Sequence, residues 1–136
     1  MEHNRGQYSA APSALGYFYQ CRYTLLEALR RLPLGERIYV SIETLDDVVF
    51  ETDGSAVDIL QTKHHINATA TLTDASPDLW KTLRIWIEGQ ADGTIPMDAQ
   101  FFMVTTALCP DGTAATYLRP EGRDEKKALE RLTATA

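Results

Sequence analysis

The chain of 136 residues contains no run of about 18 apolar residues, so no membrane-spanning helix is expected. Its first residues, MEHNRGQYSAAPSALGYF, have no charged stretch followed by an apolar one. No signal peptide is therefore expected, and the expected compartment is the cytoplasm. Cysteine is scarce: Cys21 and Cys109 stand far apart without companion ligands, which suits free thiols in a reducing environment. Histidine is scarcer than a zinc site requires, because His64 and His65 have only the distant His3 beside them. There is no Ser/His/Asp set, no glycine loop of the kind that cradles phosphate, no CxxC pair and no internal repeat. Asn67-Ala68-Thr69 fits a glycosylation pattern, which has no meaning without secretion. Positive charge is also short. Thirteen Lys and Arg against nineteen Asp and Glu leave a net charge of −6. That excludes a general nucleic-acid binder, which needs clustered cations. It does not exclude a protein that meets phosphate locally, where a bound cation offsets its carboxylates.

What is present is an ordinary globular composition, 44% hydrophobic and 24% charged, at a length that suits one domain with a real core. The chain is organised around residues 38–65, IYVSIETLDDVVFETDGSAVDILQTKHH. Strands are expected over Ile38–Glu43, Val48–Glu51 and Ala56–Lys63, the last two joined through Asp53-Gly54, a strong hairpin signal. Alternation puts Val57, Ile59, Gln61 and Lys63 on one strand face and Asp58, Leu60 and Thr62 on the other. The first face is apolar until its last two positions. If Asp47 starts the neighbouring strand, its carboxylate can sit beside Gln61 and Lys63. A carboxylate, an amide oxygen and a lysine at one sheet edge suit a divalent cation and a phosphate.

Phe18, Cys21, Leu25, Leu26 and Leu29 recur at helical spacing between Ser13 and Leu32, with Ser13 as the expected cap and Pro33 and Gly35 as the stop. Residues 64–73 are expected to be a loop. A second helix should start at Ser76-Pro77, pack on the sheet through Leu79, Trp80, Leu83, Trp86 and Ile87, and end at Gly89 or Gly93. Gln100–Ala107 has an unbroken apolar run, the pattern of a central strand buried on both faces. Pro110-Asp111-Gly112-Thr113 is an expected turn, and residues 122–133 an expected charged helix with few core contacts. The resulting order is α/β: helix, three strands, helix, strand. Residues 1–11 are the expected flexible lead, 12–108 the core, and 109–136 a turn and terminal helix.

An Asp, a hairpin and then Gln61-Thr62-Lys63 resemble the PD-(D/E)XK nuclease superfamily in its Mrr-like Gln-x-Lys form. The fuller string adds Gly16-Tyr17, Tyr19-Gln20, Glu43-x-x-Asp46-Asp47-Val48 and Leu79-Trp80-Lys81-Thr82. It is similar to the N-terminal double-stranded DNA endonuclease domain of bacterial antiphage effectors of the nuclease–SAVED type and its relatives. The resemblance covers roughly residues 12–106. It implies a restriction-endonuclease-like αβββαβ core, a mixed sheet flanked by helices. It implies Mg²⁺, with Mn²⁺ as a substitute, held by Asp47, the Gln61 side-chain carbonyl and the Thr62 backbone carbonyl. Lys63 would orient the attacking water or stabilise charge on the phosphoryl group. Glu43 is a further catalytic residue under this reading, Gln20 and Asp46 are accessory, and His64, Lys81 and Arg84 are DNA contacts. Double-stranded DNA, a homo-oligomer and an activating sensor or partner are the implied associates, with no membrane.

Blander readings stand beside these. Lys63 can be a solvated strand-end lysine, and Asp46-Asp47 can be turn residues. Trp80 and Trp86 are better read as core. Lys81 and Arg84 can be a solvated helix flank. Two other functions fit the same fold: a non-catalytic assembly module, and a nuclease directed at RNA.

Overall fold

The computed structural model describes residues 11–35, 37–42, 47–52, 55–63 and 69–136, with the backbone alone at 47 and 55–57. They gather into two compact units. The first comprises the described residues among 1–66 together with 99–105, and the second those among 67–98 together with 106–136.

The first unit holds α1 (Ala11–Arg31) and the strands β1 (Ile38–Ile42), β2 (Asp47–Thr52), β3 (Ser55–Lys63) and β4 (Gln100–Thr105). The strands form one four-stranded mixed sheet in the order β1-β2-β3-β4. The first three run antiparallel and β4 lies parallel to β3. Parallel neighbours need a long crossover, and the chain between β3 and β4 supplies it. Thr52 pairs with Ser55, as a tight hairpin requires; Asp53-Gly54, the expected turn, lies outside the described residues. The register slips once, between Phe50 and Glu51, leaving one extra residue on β3.

Val48, Phe50 and Leu60 form the core of this unit, packed by Tyr23, Ala28, Ile38 and Val104. The helix face that reaches them is not the expected one. Gln20 and Thr24 are buried, while Phe18, Leu25, Leu26 and Leu29 stay exposed, so the apolar stripe of α1 points outward. The inward face works because its residues are small or find partners. Thr24 Oγ1 donates to the Gln20 carbonyl at 2.7 Å. Arg31 bonds Asp58 at 2.5 Å and lies over the Phe50 ring at 4.1 Å, so a buried carboxylate is paired and its cation covered. Ser13, the expected cap, lies within the helix. The stop behaves as expected: Leu32–Leu34 tightens into a 3₁₀ turn and Gly35 takes a left-handed φ of 71°. A second correction concerns β4. It ends the sheet among the described strands, and Phe102 is exposed. Its apolar residues are only half-buried or exposed, and its backbone pairs with β3.

The second unit holds α2 (Pro77–Ala91), the short α3 (Ala114–Tyr117) and α4 (Glu125–Thr135). Thus α2 belongs to a different unit from the sheet. Ser76 stands at its N-cap, yet its hydroxyl accepts from the Thr73 N–H at 2.8 Å and makes no cap bond of its own. Leu79 is buried but Ile87 is exposed, so the inward stripe is shorter than the spacing suggests. Gly89 lies inside the helix. A Cβ there would meet the Ile95 side chain, so this glycine serves close approach and the helix stops two residues later. Nothing in the sequence marks Asp74 as a hub, but it is one. Its carboxylate accepts from the Ala114 N–H at 2.6 Å and from Arg131 Nε at 2.9 Å, and its carbonyl accepts from Trp80 Nε1 at 2.7 Å. Asp74 thereby ties α2, α3 and α4. The terminal helix expected to have few core contacts buries Ala128 and makes this ion pair.

Candidate functional site

The site lies where β2 begins and β3 ends. Asp47 is the first residue of β2 and pairs with Gln61. Gln61 in turn pairs with Met103 of β4, Thr62 with Val104, and Lys63 with Thr105. Directly opposed residues of an antiparallel pair have Cα atoms about 4.5–5.5 Å apart. Lys63 follows Gln61 by two strand positions, roughly 7 Å along β3 on the same face. The backbone register therefore gathers an aspartate position, an amide and a lysine at one strand end. This is the juxtaposition that the spacing suggested.

Burial grades along the motif. Gln61 is 1% exposed, Thr62 is also buried, and Lys63 is half-buried. The amide is thus fixed in the sheet interior, while the lysine sits where the strand opens out. Lys63 lies two positions from a fully buried residue, which is unlike a freely solvated strand-end lysine.

Gln20 is buried too, and its Nε2 finds no hydrogen-bond partner among the described residues. It shares a helix face with Tyr23 and Ala28, which pack on Val48, Phe50 and Leu60. By alternation that sheet face is the one opposite Gln61 and Lys63. Lys81 and Arg84 are exposed on α2 in the second unit, and Arg84 lies 3.9 Å from Glu88 in a loose surface pair. Trp80 and Trp86 are half-buried in the same helix. Glu43, Asp46 and His64 lie outside the described residues. Among the described residues no three of His, Cys, Asp and Glu come together; the carboxylates that the resemblance assigns stand at 43, 46 and 47.

Sequence reasoning missed Asp58 and Arg31. A lone acid in an otherwise apolar strand, and an arginine away from the helical stripe, were the available signals. They find each other across 27 residues and fix α1 on the sheet.

The fold and site define an α/β protein with an open mixed sheet and a polar strand end. Comparison with protein-family models, with curated proteins and with solved structures gives no match. No helix among the described residues is long and apolar enough to cross a membrane.

Proposed function

We propose that the chain is a metal-dependent endonuclease of the PD-(D/E)XK type with a restriction-endonuclease-like core, acting on double-stranded DNA in antiphage defence. The observation that carries this is the register: Asp47 opposite Gln61, with Thr62 and Lys63 next along β3. The element order, helix, three antiparallel strands and a parallel fourth, supports it.

The donors suit a hard divalent cation, which takes oxygen ligands and commonly uses only one or two carboxylates. Asp47 would supply a carboxylate, Gln61 its side-chain carbonyl and Thr62 its backbone carbonyl, with Glu43 as a further acid. When bound, Mg²⁺ activates a water and neutralises charge on the phosphoryl oxygens. Lys63 orients that water and meets the charge that develops in the transition state. Gln61 in place of an acid removes one negative charge, which weakens metal affinity without removing an oxygen donor. Each domain cuts one strand, so a double-strand break needs two copies, and cutting is held back until a sensor or partner engages.

A second reading, a non-catalytic assembly module, is favoured by one feature. The position usually held by an acid carries an uncharged amide at 1% exposure. Supercoiled plasmid with Mg²⁺ or Mn²⁺ separates the two. The parent chain is expected to nick and linearise it. Asp47→Ala and Lys63→Ala are expected to lose at least about 100-fold, the scale of one lost transition-state contact, with melting temperature within about 2 °C of the parent. Silence of the parent together with no melting shift in either metal favours the module. Cleavage of RNA but not plasmid reassigns the substrate.

A further inference from the structure

The outward face of α1 is a heptad seam. Leu15, Phe18, Arg22, Leu25 and Leu29 of α1, followed by Leu32 at the start of the 3₁₀ turn, are spaced 3, 4, 3, 4 and 3 residues apart, the pattern of a and d positions. The five apolar members are 49% to 68% exposed, and Arg22 is exposed as well. A helix that packs on a sheet needs a broad stripe, and α1 meets its sheet with a different face. A 3.5-residue seam left outside that contact has the period of helix-on-helix packing. Exposed apolar area of this extent marks a docking surface.

We propose that the occupant is a second copy of this chain, its α1 packed antiparallel on the first across a two-fold axis. The seam is self-complementary in that register. Leu15 meets Leu32 of the other copy, Phe18 meets Leu29, and Arg22 meets Leu25, each contact occurring twice. The parallel register instead sets Arg22 against Arg22 and places like charges at the centre. Against Leu25, the arginine stem packs and its guanidinium reaches the rim. The seam and its flanking residues offer roughly 500 Å² per copy, or about 1,000 Å² in all, the lower limit for a specific interface. A dimer with so small an interface is expected to be reversible, so pairing should rise with concentration. This inference stands on exposure and spacing and not on the proposed cleavage.

Sedimentation across about 1–200 μM tests it. The parent is expected to shift from 15.2 kDa towards twice that mass as concentration rises. Phe18→Glu alone and Leu29→Lys alone are each expected to weaken pairing at least tenfold, while melting temperature measured at a concentration where the parent is monomeric holds because both side chains are exposed. An equimolar mixture of the two is expected to restore the dimer, because one contact becomes Glu against Lys and its symmetry mate stays Phe against Leu. Arg22→Leu is expected to tighten it. A parent that remains monomeric throughout overturns the proposal, and so does a mixture that fails to restore pairing, since the parallel register predicts no rescue.

Discussion

At Gln61 the chemistry of one side chain sets how the proposed cation site would respond to metal. An amide tolerates burial at 1% exposure because it carries no charge. A carboxylate at the same point does not, unless a cation sits beside it. Gln61→Glu is therefore expected to lower the melting temperature in a chelator, by roughly 5 °C or more, and to regain it in Mg²⁺. Calorimetry in the two buffers checks this, and equal melting in both would count against a metal at this position. Lys63 and Asp47 belong to the same scale. Their proposed roles come from the residue types and their spacing, but that Asp47 pairs with Gln61 was not legible there. The opposition depends on where β2 begins and how β3 registers against it.

At the scale of the element, the breakers and caps did what local chemistry requires. Pro33 and Gly35 end α1, and Pro77 opens α2 after Ser76. The limits read from composition for the first three strands fall within a residue of those observed, since β-branched runs and Asp-Gly are local signals, while β4 stops two residues earlier than expected. The terminal helix α4 starts at Asp124, whose side chain accepts from the Lys127 N–H at 3.0 Å. That bond, more than any other influence, holds the Asp124 carboxyl below its ordinary value of 3.8. A depressed folded value means the cap stabilises α4 fully above about pH 4 and loses that contribution as pH falls through the folded value. Asp124→Asn keeps a capping side chain but does not titrate. The parent's melting advantage over the variant is expected to be greatest near neutral pH and to fall as pH drops through the folded value. A difference that stays constant over that range would remove the carboxylate from the account. Periodicity failed where two faces of one helix compete. In α1 the apolar stripe was plain, but Tyr23, Ala28, Thr24 and Arg31 fit the sheet more closely, and the Arg31–Asp58 pair ties that face down. In β4 the run QFFMVT looked central, yet among the described strands it pairs with β3 and ends the sheet.

At the scale of the whole molecule, the net charge of −6 sets how DNA would be met under the proposed function. A net negative chain offers DNA no long-range attraction, so binding would rest on a few local cations, of which Lys63, His64, Lys81 and Arg84 are the proposed ones. Each neutralised phosphate contributes about −0.9 to the slope of log K against log salt. With so few contacts the slope is expected to be no steeper than about −4. Anisotropy titrations of a duplex in Ca²⁺ at several salt concentrations measure it, and a slope near −8 would require a basic surface that this account does not contain. The sequence by itself determined the element types, their order, the αβββαβ pattern and the polar end of β3, because each follows from period, breakers and side-chain chemistry within a few residues. Only the tertiary structure decided which face of α1 is buried, that β4 closes the sheet, that Asp47 stands opposite Gln61 and that Asp74 binds three helices. Those outcomes depend on contacts between residues far apart in the chain, where packing, burial and pairing of charges override local preference.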